Sequence, residues 1–299
     1  MKKFVIVTDS CSDLDRVLRE KYDVDYIPMH ISCEGKDYEA NLDWEAGLTA
    51  KEFYDMMRAG KRFTTAQITA NQYKDAFSKY LADGYDILSI SCSSAFSASV
   101  ATSRTVAEEL KADYPDAKIF CIDSLIACAG LGNLCIAASK MRAEGKTIEE
   151  VAAWVEENKL TSNQESTAES LKYLKQAGRV SAAAAFFGGI FQVKPIVISD
   201  ATGMNFSCEK VKGRANSITR LAERMKDEYL ESPYQSVIVE HADCPEGADQ
   251  LIAEIKKLLP DVSIDYVTNF GPIIGATVGP GMLGVFFFGK KVTVNAPEA

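Results

Sequence analysis

Short apolar, β-branched runs alternate with helical segments through the first half of this chain, most clearly across Tyr85–Ser99. Tyr85–Ser91 reads as a buried strand, a serine-rich loop follows, and Ser97 opens a helix from Ala98 to about Ala112. Strands that each feed a helix lie parallel, with helices on both faces of the sheet. In such sheets ligands bind beyond the carboxyl ends of the strands. The loop after Ser91 collects backbone N–H groups and hydroxyls at one point, and no acidic side chain falls in the first helical turn. That is an anion-ready helix start; which anion, the pattern leaves open.

The same pattern recurs along the chain. Lys3–Thr8 is a strand ending in Asp9–Ser10, and Ser12 caps a helix to about Lys21. Val24–Cys33 reads as one strand, with a turn at Glu34–Lys36 into a short return strand. Thr49 with Glu52, Thr69 with Gln72 and Thr147 with Glu150 are capping boxes for helices over Ala50–Arg58, Ala70–Ala82 and onward to about Asn158. Phe63–Thr69 reads as a polar loop, Lys118–Ile122 as a strand ending in Asp123–Ser124, and Leu125–Ala143 as a helix. The two Asp-Ser pairs read first as helix caps.

Beyond Asn158 the pattern changes. Leu160–Thr167 is polar and carries no clear period, and Ala182–Phe191 reads as a short helix of small and aromatic residues. Lys194–Ser199 and the strand after Ala201–Gly203 form a hairpin, Gly213–Leu230 is a long charged helix, and Pro245 starts another to Leu259. Gln235–Glu240 and Val262–Val267 read as strands, Gly271–Gly284 as a glycine- and proline-rich loop, and Val285–Phe288 and Lys291–Val294 as terminal strands. The expected architecture is two α/β domains, 1–158 with a mainly parallel sheet and 159–299 with a mixed sheet. At 299 residues the length suits two.

A net charge of -9 disfavours general binding to nucleic acid or anionic membranes. No apolar run reaches the length of a membrane span, and the apolar stretch after Lys3 is too short for a secretory signal, so a cytoplasmic protein without stable membrane insertion is expected. Eight cysteines without a C-x-x-C pair read as reduced, mostly buried thiols.

Familiar catalytic patterns fail. Gly145–Thr147 lacks the earlier glycine of a phosphate loop, because Lys140 stands there, and the glycines of Gly279–Gly284 lead into a strand rather than a helix. There is no G-x-S-x-G elbow, no metal-ligand spacing, and only two histidines. His30 reads as a core residue and His241 as a strand-end residue with a structural or functional role. No catalytic residue, metal or cofactor is expected.

An ordered set of short segments remains: Thr8–Ser10, Thr64–Gln67, Ser93–Ser97, Asp123–Ser124, Gly178–Ser181, Lys194–Ile196, Gly271–Gly275 and Gly279–Gly281. In this order and spacing the chain resembles the DegV family of bacterial fatty-acid-binding proteins along essentially its whole length. The resemblance implies two α/β domains with a fatty acid between them, its carboxylate held by Thr65 and Ser97 and its acyl tail in an apolar tunnel. It implies a carrier rather than an enzyme, with a fatty-acid kinase as partner in one branch of the family. Ser93, Ala98, Ser99 and Ile274 fall beside these positions, and Ala182–Phe191 with Pro272–Ile274 offer apolar surface for the tail. Arg179 matches an arginine near the pocket mouth on the side where the kinase is thought to meet it.

The chain departs from the family pattern at Ala66, at Ala98–Ser99, and at Thr277, where many relatives place a histidine. Thr277 is the hydroxyl expected to stand in for it. The alternative reading is a hydrolase or transferase using Ser97 or Ser93 on an acyl or phosphoryl substrate; no base lies near either serine in sequence.

Overall fold

The computed structural model describes residues 3–45, 47–181 and 192–296. The expected tail-lining helix 182–191 lies outside them. The first half comprises β1 (Phe4–Asp9), α1 (Arg16–Tyr22), β2 (Val24–Ile27), β3 (His30–Cys33), β4 (Lys36–Glu39), α2 (Ala50–Arg58), β5 (Thr64–Ala66), α3 (Ala70–Ala82), β6 (Asp86–Ser91), α4 (Ser99–Leu110), β7 (Ile119–Asp123), α5 (Cys128–Ala143) and α6 (Ile148–Asn158). The second comprises β8 (Ser162–Thr167), α7 (Lys172–Ala177), β9 (Val193–Ser199), β10 (Asn205–Lys212), α8 (Arg214–Glu228), β11 (Ile238–His241), α9 (Pro245–Leu258), β12 (Tyr266–Asn269), α10 (Pro272–Val278) and β13 (Leu283–Phe288).

The first half builds a parallel sheet in the order β2-β1-β6-β7, and the second a six-stranded mixed sheet in the order β10-β9-β8-β13-β11-β12. Only the β11–β12 pair of the mixed sheet is parallel. This is the expected α/β class. The expected capping boxes at Thr49, Thr69 and Thr147 are all formed.

A third sheet, β4-β3-β5, accounts for two differences from expectation. Val24–Cys33 is two strands, because Pro28 has no N–H for a ladder and the chain there leaves one sheet for another. The expected loop at Phe63–Thr69 contains β5, whose Thr65 pairs with Ile31. His30, expected in the core, is exposed on this small sheet.

Other boundaries moved for local reasons. Asp15, not Ser12, caps α1, since Ser10–Ser12 form a separate 3-10 turn capped by Asp9. The helix expected from Leu125 begins at Cys128, because Leu125 and Cys128 both have left-handed backbone. The Gly271–Gly284 segment holds α10: its proline and glycine mark the ends of a helix rather than a loop. Lys291–Val294 joins no ladder.

The largest surprise is β8. SNQEST is entirely polar, yet every residue is buried and the strand lies inside the mixed sheet between β9 and β13. Most of its side chains are satisfied in place, the buried Thr167 hydroxyl excepted. Ser162 Oγ donates to Gly130 O at 2.9 Å, Ser166 Oγ to Val197 O at 2.7 Å, and Glu165 takes both Nε and Nη2 of Arg224 at 2.5 and 3.0 Å.

Helix α5 is the shared spine. It packs on β1 and β6 of the parallel sheet and on β8, β11 and β13 of the mixed one. One apolar cluster therefore runs from Ile6 through Leu134 to Phe286. Small residues make this possible: a Cβ on Gly132 would stand 2.8 Å from the carbonyl oxygen of Ser12.

Candidate functional site

The carboxyl ends of β1, β6 and β7 hold the serine loop in place. Asp9 is fully buried; its Oδ2 accepts from Cys92 N at 2.8 Å and its Oδ1 from Cys11 N at 2.9 Å. Asp123 Oδ1 accepts from both Ser94 N and Leu125 N at 3.1 Å. The Asp-Ser pairs thus cap turns, as their plain reading has it, and also tie neighbouring strand ends together. Burial pushes the Asp9 carboxyl up, against the pull of its N–H donors.

Between this loop, β5, α10 and the β9–β10 hairpin lies a cavity of about 280 Å³. Thr65, Ser97, Ala98, Ile274, Thr277 and Arg179 all line it. Polar groups (Thr65, Gln67, Ser97, Asn205, Thr277, Arg179) share the wall with an apolar set that includes Met29, Ala127, Ile273, Ile274 and Val278. A second cavity of about 370 Å³ adjoins it through Thr65, Arg179 and Thr277, and carries Lys61, Arg62 and Lys172. On a chain of net charge -9 this cationic rim is local. Arg62, Lys172 and Arg179 have no acidic partner among the described residues, while Lys61 pairs with Glu34.

The helix start differs from expectation. Helix α4 begins at Ser99 with Ala98 at its N-cap position and no side-chain cap there. Ser97 Oγ still accepts from Ser99 N at 3.2 Å and lies 2.9 Å from Ser99 Oγ. The N–H of Ala98 is not free: it donates to Gln67 Oε1 at 3.1 Å. The backbone N–H groups of Ala98 and Ser99, part of the helix start read as anion-ready, are thus engaged by side chains. Because Ser99 Oγ can donate to Ser97 Oγ, the Ser97 hydroxyl proton is available to a ligand in the cavity.

Ser93 and Ser99 are buried behind the wall rather than in it. Ser93 Oγ donates to Gly203 O at 3.0 Å and accepts from Ala95 N at 3.2 Å, so this hydroxyl pins the loop to the β9–β10 hairpin. Thr277 lines the cavity, but its Oγ1 donates to Ile273 O at 3.1 Å, so its proton is spent within α10 and it does not offer the donor expected in place of the histidine. Arg179 grips the Phe96 carbonyl through Nε at 3.2 Å and Nη2 at 3.1 Å, which joins the turn after α7 to the serine loop. His241 Nδ1 accepts from Cys244 N at 3.4 Å in a turn. Gln67 and Asn205 are the polar wall residues that sequence reasoning missed, and Met29, Cys92 and Ala127 are among the apolar ones. Gln67 stood within a quoted segment without a role, and Asn205 comes from the distant hairpin.

The sheets and the cavity between them define a class: a two-part α/β ligand-binding protein whose pocket has a hydroxyl-rich polar side and an apolar side. Comparison with known proteins makes this specific. The chain matches the DegV family over residues 3–290 and belongs to that family. It is 36% identical over 291 residues to a DegV domain-containing protein of Clostridium perfringens, covering 97% of this chain and 98% of that one. Among solved structures it is similar to a Thermotoga maritima protein described as revealing a fatty acid binding function, with 25% identity, TM-score 0.83, and 97% and 100% of the two chains covered. A stearic acid-binding protein from Eubacterium ventriosum is also similar, with 25% identity, TM-score 0.82, and 96% and 98% covered. Among the described residues no helix is long and apolar enough to cross a membrane.

Proposed function

We propose that this protein binds one long-chain fatty acid between its two halves, 1–158 and 159–299, with the carboxylate at Thr65 and Ser97 and the tail against Ile273, Ile274 and Val278. The observation that carries this reading is the single cavity whose wall joins those two hydroxyls to that apolar surface. Charge-assisted hydrogen bonds from the hydroxyls contribute roughly 1.5–3 kcal/mol each. The tail contributes more in total, at about 0.8 kcal/mol per buried methylene. Arg179 completes the polar side with its positive charge, and Thr277 and Ala98 lie at its edge.

On this reading the protein is a cytoplasmic carrier that needs no cofactor and performs no chemistry. The cationic rim of Arg62, Lys172 and Arg179 suits presentation of the carboxylate to a fatty-acid kinase. The serine-enzyme alternative loses ground at Ser93, whose hydroxyl is spent on Gly203 O. Solvent extraction of the purified protein followed by mass spectrometry tests the proposal. One fatty acid per chain is the expected result; a protein that neither carries nor takes up fatty acid overturns it.

A further inference from the structure

A second polar cluster lies beneath the cavity, and the fatty-acid reading does not use it. Asp13, Cys128 and Glu240 each place one ligand-type atom within 4.8 Å of the others. All three are buried: Asp13 is 3% exposed, Cys128 7% and Glu240 0%. Each carboxyl reaches across the boundary between the halves for one backbone donor. Asp13 Oδ1 accepts from Gly271 N at 3.0 Å, and Glu240 Oε2 accepts from Ala129 N at 3.2 Å. The other oxygens, Asp13 Oδ2 and Glu240 Oε1, have no hydrogen-bond partner. Among the described residues no Lys, Arg or His pairs with either carboxyl.

Two orphaned carboxylate oxygens at zero or near-zero exposure, without a cation, are costly. A proton on the carboxyls or a bound cation answers that cost, and for a cation the donor set names the class. Two carboxylate oxygens and a thiol sulfur suit a zinc-class divalent ion, which takes mixed oxygen and sulfur ligands in tetrahedral geometry. Bonds of about 2.1–2.3 Å bring tetrahedral ligand atoms to roughly 3.5 Å from one another, so a spread of up to 4.8 Å closes with a small side-chain adjustment. The carboxyls already have their second oxygens oriented by backbone N–H groups, the arrangement that fixes metal ligands in place. Cys128 also lines the cavity, which gives an ion a way in.

We propose that Asp13, Cys128 and Glu240 form a binding site for one zinc-class divalent metal ion, which joins the N-terminal strand-end turn, helix α5 and strand β11. On binding, the Cys128 thiol loses its proton to solvent and the thiolate sulfur bonds the metal; no redox change occurs.

The test is titration of chelator-treated, full-length protein with Zn²⁺ by calorimetry and with Co²⁺ by visible absorption. One equivalent is expected, with a thiolate-to-cobalt charge-transfer band and a rise in Tm that grows with Zn²⁺ concentration. Cys128→Ser should remove the charge-transfer band, and Glu240→Gln should abolish stoichiometric uptake, while circular dichroism confirms both variants folded. Absence of uptake by the folded wild-type protein overturns the proposal and leaves the carboxyls as a protonated or water-bridged pair. So does uptake that persists unchanged in both variants, because the ion then sits elsewhere.

Discussion

The backbone N–H of Ala98 donates to the side-chain oxygen of Gln67 at 3.1 Å, so the strand carrying Thr65 is tied directly to the helix start beside Ser97. Thr65 and Ser97 are 32 positions apart in the chain, and this bond fixes the distance between the two hydroxyl-bearing segments. Replacing Gln67 with Ala is expected to weaken fatty-acid binding three- to tenfold, about 1 kcal/mol. Calorimetric titration with a long-chain fatty acid checks this; an unchanged Kd shows that the tie does not organise the site.

Removing both hydroxyls has a larger expected effect. Thr65→Ala with Ser97→Ala should weaken fatty-acid binding tenfold or more, about 1.4 kcal/mol or above. The apolar wall is untouched, so the variant should retain its fold and a residual affinity for the tail. Equal affinity in wild type and double variant would remove these residues from the head-group assignment.

Gly203 turns the β9–β10 hairpin at φ +82, and its carbonyl accepts from Ser93. A Cβ there would collide with Ser93 Oγ and stand 2.9 Å from Leu125 Cα. Gly203→Ala combines a left-handed backbone with a backbone clash and should cost at least about 1–3 kcal/mol. Thermal unfolding measures it, and a Tm within a degree or so of wild type would show that the hairpin yields freely.

Arg224 is the partner of Glu165 inside β8, and its pull works against the burial that raises the Glu165 carboxyl to about 7. Arg224→Met leaves a carboxylate buried and unpaired, and about 3–5 kcal/mol of stability should be lost. Adding Glu165→Gln should recover part of that loss, because a neutral amide is cheaper to bury. Urea unfolding of the single and double variants reports both steps; additive losses would contradict the pairing.

Glu209 gives an acid-side signature. Its hydrogen bond to Arg220, helped by Arg224, pulls its carboxyl from 4.5 to about 2. The folded protein therefore binds this proton less readily than the unfolded chain does. The resulting stability is fully present above pH 4.5 and is lost as pH falls through about 2. Glu209→Gln should flatten the pH dependence of urea unfolding in that window, whereas a slope equal to that of wild type would count against the assignment.

Some of this molecule is legible in the residues alone. Strand and helix alternation specifies the parallel sheet, because each strand that feeds a helix must cross over to reach the next, and the capping boxes at Thr49, Thr69 and Thr147 each form as read, because they rest on interactions between near neighbours in the chain. The ordered segments from Thr8 to Gly281 suffice to place the family. They also name most of the cavity wall, since strand ends converge by the geometry of the sheet itself.

Tertiary structure decided the rest. No local signal marks SNQEST as a strand, because its stability comes from partners such as Arg224, Val197 and Gly130 that lie far away in sequence. Proline and glycine around α10 read as a loop until the packing of that helix against the Ser10–Ser12 turn, β3 and β5 gives it a reason to form. The family resemblance names Ser97 rather than Ser93 for the cavity wall, and the tertiary structure supplies the physical reason: the approach of Gly203 turns Ser93 inward. The cluster of Asp13, Cys128 and Glu240 is the extreme case, three residues of ordinary type and no motif spacing, brought together because α5 is buried between two sheets.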